Sequence, residues 1–335
     1  MVPGSRVVEG RFFELFDELA VTVDCLGRTY ETVIGDQRIV ILMPSLPDPL
    51  DGEDPHRPLV APQAHYENFA PPNDASQRAW GAVTGTDKGE PTRVEVARLA
   101  YRFEITGTDD DVAKACRQIE DDLTTWWERV AMWLDTYAEL DLLNHRGSRV
   151  IPVGYRLDAV TRHDDGAVHP VRWQPAGVTI TIPKDPVFPD SVALERSFKL
   201  AGTKAALPEE WQYLREARSW LNAGQTRRAV IDACTAAEIA LAHQVHDMLS
   251  GTDKVVIQQL LDLCHGVADV AQVVRKIGGT TASRNQVEQK LANVRNRAAH
   301  AGAEPQREET TQAVMVAADI VEHARPRESL HQSTP

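Results

Sequence analysis

Long apolar runs are missing from this sequence of 335 residues. No stretch approaches the roughly 18 consecutive apolar residues of a membrane-spanning helix, so no membrane partner is expected. Near the start, Glu9, Arg11, Glu14, Asp17 and Glu18 interrupt any apolar core of a secretion signal, and the chain is read as cytoplasmic. Cysteine is scarce as well. Cys25, Cys116, Cys234 and Cys264 lie far apart and form no Cys-x-x-Cys pair, which reads as free thiols in a reducing compartment. Three signature motifs are also absent: Gly-x-x-x-x-Gly-Lys-Ser/Thr, His-Glu-x-x-His and Gly-x-Ser-x-Gly. Their absence argues against a phosphate-cradling loop, a zinc-protease helix and a hydrolase nucleophile elbow. His243, His246, Cys264 and His265 do not follow a recognised zinc spacing, and neither a metal nor a cofactor is expected.

Excess positive charge is missing too, since 36 Lys+Arg face 49 Asp+Glu for a net charge of −13. An acidic chain does not attract nucleic acid through its overall field. The imbalance is uneven, however. Residues 1–204 carry 22 basic and 33 acidic residues, and residues 205–335 carry 14 and 16. Within 275–300, Arg275, Lys276, Arg284, Lys290, Arg295 and Arg297 stand against Glu288 alone. Such a local patch attracts phosphate where it lines a cleft, and is otherwise a solvated helix face.

Hydrophobic residues make up 42% and charged residues 25%, enough apolar material for a core in each half. Residues 1–200 read as an α+β domain. Leu19–Asp24 and Ile39–Met43 are β-prone, with turns at Gly27 and Gly35-Asp36. Residues 44–72 hold eight prolines, which exclude a regular element and predict an extended surface loop. Arg93–Thr106 alternates as one strand, and Thr108 or Asp109 then caps a long helix to about Leu143. Along it Val112, Cys116, Ile119, Leu123, Trp126, Val130, Trp133, Tyr137 and Leu140 form an apolar stripe with a 3.5-residue period. The stripe fits either a dimerising coiled-coil seam or a helix laid on the domain's own sheet, and its tryptophans are bulky for a seam. Arg149–Val160 and Val178–Ile182 read as further strands, and 201–206 as a linker.

Alternation stops after Pro208. Helices are predicted at Pro208–Ala223, Thr226–Leu249, Asp253–Cys264, Ala268–Ile277, Ser283–His300 and Pro305–Ala324, set off by Gly224, Gly251, Gly278-Gly279, Gly302 and Pro326. Short connections between such helices imply an antiparallel all-α bundle over 207–326, with 327–335 a flexible tail.

The fifth of these helices carries the unusual chemistry. Asn296 and His300 are four apart and share a face, so the amide is placed to orient the imidazole. Arg295 lies about 140° around from His300, so the two converge only near a helix end or across a subunit interface. Arg295, a polar residue and then His300, late in a helical bundle, resembles the Arg-x4–6-His signature of HEPN domains. Ala217–Gly224, Arg228–Ala233 and Ala237-Glu238-Ile239-Ala240-Leu241 are similar to that family's first helices. The resemblance covers about 207–326 and does not extend to residues 1–200.

It implies a metal-independent endoribonuclease, often a toxin or antiviral effector, that acts on RNA as a homodimer through the bundle. His300 would then be general base or acid, Arg295 would hold the scissile phosphate, and Asn296 would orient groups in the site. Arg297, Lys290 and Arg284 would contact RNA phosphates, and Glu238 would support the motif as an ion-pair partner or a catalytic helper. Residues 1–200 would sense a trigger or bind a protein partner. The alternative that the resemblance admits is a non-catalytic dimerisation or binding module.

Overall fold

The computed structural model describes residues 4–12, 19–47, 58–62, 80–107, 109–138, 160–162, 168–170, 188–300 and 302–332. A region of small antiparallel sheets is followed by a largely helical part, as the α+β and all-α reading expects.

The strands are β1 (Gly4–Phe12), β2 (Leu19–Thr22), β3 (Thr29–Ile34), β4 (Gln37–Leu42), β5 (Gly81–Asp87), β6 (Glu90–Val96), β7 (Leu99–Gly107), β8 (Val160–Arg162) and β9 (Val168–Pro170). One sheet has the order β1-β7-β4-β3, a second β2-β6-β5, and β8 pairs with β9. All pairings are antiparallel. The stretch 93–106, expected as one strand, breaks at Ala97-Arg98 and serves two sheets. Its inward residues show why. Val94 and Val96 are buried before the break, whereas Leu99 and Phe103 are buried after it, so the alternation changes phase.

The proline-rich stretch is not all surface. Leu59 is buried, its N–H donates to Gly81 O at 2.9 Å, and Ser45 bridges to Val60. The rest of that stretch, and the strands expected near 149–159 and 178–182, lie outside the described residues.

Helix α1 (Asp109–Ala138) covers the described part of its stripe within the chain, and the expected continuation over 139–143 lies outside the described residues. Ile119, Trp126, Val130, Leu134 and Ala138 join the sheet-side core, and Trp133 joins the helical core. These contacts favour the helix-on-its-own-sheet arrangement over a seam between chains. Helix α2 (Ser191–Gly202) was not expected, and only its last two residues enter the stretch 201–206 read as a linker. The Asp190 side chain caps it by accepting from Val192 N and Ala193 N. Its last residue shows why glycine ends it: a Cβ on Gly202 would lie 2.5 Å from Val33 N, so any side chain would push α2 off β3. A buried relay ties the layers together. Trp126 Nε1 donates to Thr32 Oγ1 at 2.9 Å, and that hydroxyl donates to Phe198 O at 2.7 Å. The Trp126 and Phe198 rings stack at 5.6 Å.

The helical part comprises α3 (Glu209–Asn222), α4 (Thr226–Met248), α5 (Lys254–Asp262), α6 (Val267–Lys276), α7 (Arg284–Val287), a π turn (Glu288–Ala292), α8 (Asn293–His300) and α9 (Arg307–Ala324). Helix α4 is the axis and packs on α3, α6, α8 and α9. Ala229, Ala233, Ala236, Ala237 and Ala240 are fully buried on it, and their small side chains let neighbouring helices approach closely.

The tail is packed over its first six residues. Arg327–Gln332 form a short 3-10 helix, and Leu330 is buried. Arg327 Nε pairs with Glu322 at 2.7 Å, and Arg327 Nη1 donates to Tyr137 O at 3.2 Å. No helix among the described residues is long and apolar enough to cross a membrane.

Candidate functional site

The site is built where α8 ends. Ser283 opens the preceding turn with a capping box to Gln286, and α7 runs into the π turn. There the N–H of Asn293 bonds to Glu288 O, one residue further back than in an α-helix. The extra residue rotates everything after it, and Glu288, Ala292, Asn293, Arg295 and Asn296 come to line one groove. Val294 and Ala298 anchor the other side of α8 in the core. Past His300, Gly302 takes a φ of +64°, which only glycine adopts freely, and Ala303 N bonds back to Arg297 O at 3.3 Å. The helix therefore stops with the imidazole at its exposed end.

Arg295 and His300 converge within one chain. Arg295 Nη1 lies 3.5 Å from His300 Nε2 and donates to Asn296 Oδ1 at 3.2 Å. The long arginine side chain spans the angle between the two helix faces. Asn296 therefore holds the guanidinium, where the shared helix face had suggested the imidazole. A guanidinium only donates, so its contact with Nε2 is a hydrogen bond only while that nitrogen carries a bare lone pair. Arg295 is half-buried, and Asn296 and His300 are exposed.

The groove beside Arg295 has a volume of about 330 Å³. Glu238 and Cys234 of α4 form one wall, so Glu238 does approach the motif across the bundle. Val267, Ala268 and Asp269 of α6 form another, and Arg284 and Glu288 close it. Burial, reinforced by the charge of Glu238, pushes the Cys234 thiol up to about 12, so it stays protonated and donates to Glu238 Oε1 at 3.6 Å.

In comparisons with known proteins, no family model, no curated protein and no solved structure matches this chain.

The three expected phosphate contacts separate. Arg284 Nη2 pairs with Asp269 Oδ1 at 3.0 Å, and its Nη1 lies 4.0 Å from Glu288. The Asp269 carboxyl is held below its ordinary range by the His265 N–H and by Arg284. Arg297 Nη2 pairs with Glu309 at 2.7 Å and braces α8 against α9. Lys290 is exposed and has no hydrogen-bond or ion-pair partner among the described residues. Charge counting alone could not separate these cations, because their partners Asp269 and Glu309 come from other helices. Cys234 and Asp269 were missed for the same reason, whereas Asn293 stands on α8 itself and reaches the groove through the π turn before it. All four cysteines are free, and among the described residues no cluster of His, Cys, Asp and Glu is placed to hold a metal.

Proposed function

We propose that this chain is a metal-independent endoribonuclease of the HEPN type, acting as a homodimer through its helical part, in a toxin or defence role. One observation carries the reading: Arg295 reaches both Asn296 and His300 at the exposed end of α8, and Arg295 and Asn296 line a groove. A structural arginine and a capping histidine would need neither the rim position nor a shared contact.

The chemistry follows from the contact. An incoming phosphodiester draws the Arg295 guanidinium onto its oxygens, which a planar fork of donors suits. That movement frees the Nε2 lone pair of His300. The imidazole then takes the proton of the RNA 2′-hydroxyl as the 2′-oxygen attacks the adjacent phosphorus. The bond from phosphorus to the 5′-oxygen breaks, and the 5′-oxygen takes a proton from solvent water, to which the His300 imidazolium later returns its own. The products are a 2′,3′-cyclic phosphate and a 5′-hydroxyl. Arg295 offsets the charge that builds on the phosphoryl oxygens. Residues 1–200 are assigned the sensing of a trigger or partner.

RNA incubated with the protein in EDTA should be cut to cyclic-phosphate ends, and His300→Ala should abolish the cutting. Equal cleavage by both proteins, or none under any condition, would remove the reading.

A non-catalytic docking module is the second reading. It is favoured by Val255, Val256 and Leu263, exposed at 63%, 53% and 76% on and just after α5. A partner captured through that surface by a protein that leaves RNA intact would establish it instead.

A further inference from the structure

The groove beside Arg295 is acidic where a phosphate track would be basic. Glu238, Asp269 and Glu288 line it with Arg284, Arg295 and His265. Asp269 and Glu288 already face Arg284, which cancels much of that charge. Among the described residues Glu238 has no ion-pair partner, and its one hydrogen-bond partner is the Cys234 thiol. A phosphate seated at Arg295 therefore cannot continue along this wall, because the Glu238 carboxylate would repel it. What fits is the uncharged part of a nucleotide.

The wall also selects among bases. An ionised carboxylate has acceptors only. Guanine presents two donors side by side on its pairing edge, N1–H and the N2 amino group, and these match two carboxylate oxygens. Adenine and cytosine each set one amino group beside a ring acceptor, and uracil sets one imino donor between two carbonyls. Each of those three would bring a lone pair against the carboxylate. Val267, Ala268 and Ala292 give the groove apolar sides. Its volume of about 330 Å³ is near the small end of ligand sites, which suits one unstacked base and no stacked run.

We infer that this groove receives a single guanine of the RNA, read by Glu238, next to the phosphate held at Arg295. The inference rests on the ribonuclease reading and deepens it by naming the base at the cut. Cys234 acts as a positioning residue, since its thiol holds one oxygen of Glu238.

The test maps cleavage ends on an RNA of mixed sequence for the wild-type protein, His300→Ala and Glu238→Gln, all as full chains. Cuts should fall beside guanine by roughly tenfold or more over other bases, the size of one bidentate contact. Glu238→Gln should shrink that ratio about tenfold, because an amide replaces one acceptor with a donor. Glu238 is exposed, so the variant should fold, and circular dichroism checks that it does. Cutting without base preference overturns the inference and leaves the nuclease reading standing. So does a preference that Glu238→Gln leaves intact, or a loss equal at all bases, which would place Glu238 in the chemistry. If no protein cuts, the nuclease reading fails by itself. Binding of guanosine 3′-monophosphate against the other three mononucleotides then decides the groove, and equal affinities overturn the inference.

Discussion

The Arg295 guanidinium lies 3.5 Å from His300 Nε2, five residues along a chain whose helical geometry points the two side chains apart. The contact exists because α8 ends at His300 and because Asn296 takes a second hydrogen bond from the same Nη1. The site therefore depends on the forked shape of arginine as well as on its charge.

That dependence separates two substitutions that charge alone would rank together. Lysine at 295 keeps the cation but brings one ammonium, which cannot serve Asn296, the imidazole and a phosphate from fixed directions. Arg295→Lys should lower kcat for RNA cleavage roughly 100-fold, the scale of losing an oriented donor at a charge-developing centre, with a smaller effect on KM. Asn296→Ala should cost less, about tenfold, since it loosens the guanidinium without removing it. Single-turnover cleavage of a short RNA measures both. Near wild-type rates for Arg295→Lys would show that only the charge matters.

The cations of the 275–300 patch differ in how free they are, and salt dependence reads that difference. Each phosphate neutralised on a single strand contributes about 0.7 to the slope of log affinity against log salt. Lys290→Ala should lower the slope by about that amount. Arg284→Ala should leave it nearly unchanged, because Asp269 and Glu288 already face this guanidinium. Fluorescence anisotropy with a labelled RNA, in the His300→Ala background, gives both slopes. Equal reductions would mean that RNA pulls Arg284 from its carboxylates.

How much of this was legible in the sequence depends on whether the signal is local. Helices α3 to α9 fall close to the expected spans because glycine and proline mark their ends, as Gly224 and Gly278-Gly279 do. The turn between β3 and β4 was equally plain at Gly35-Asp36. Helix α2 was missed because it is short and ends on Gly202, whose fit is decided by the backbone of Val33 in a distant strand. The phase change between Val96 and Leu99 was readable, but no turn residue announced it. For Arg295 and His300 the sequence left two routes to convergence, a helix end or a subunit interface, and the two side chains meet at the helix end. The π turn that aims α8 at the groove was not, because one extra residue per turn leaves no compositional mark. The groove's other walls come from α4 and α6, at separations that periodicity within one helix does not reach.

A carboxylate beneath the α3–α4 contact gives the chain a dependence on pH that is independent of the cleavage site. Asp232 is half-buried on α4. Burial first, and the charge of Glu216 second, raise its carboxyl from 3.8 to about 6, against partial compensation by a hydrogen bond with Trp220 and by the Arg228 charge. Well below 3.8, at about pH 3, the group is protonated in both the folded and the unfolded chain and contributes nothing to their difference. As pH rises from there, the unfolded chain ionises first, so stability falls until the folded carboxyl also ionises, near 6. Above that, the full penalty stands. Asp232→Asn keeps an oxygen for Trp220 and removes the charge. It should therefore stabilise the protein at neutral pH by about 1 kcal/mol, allowing for the solvent that reaches the group. The gain should vanish at about pH 3. Urea unfolding of both proteins at the two pH values measures it. A gain of the same size at both would mean that side-chain packing, and not the buried charge, separates the variant from the wild type.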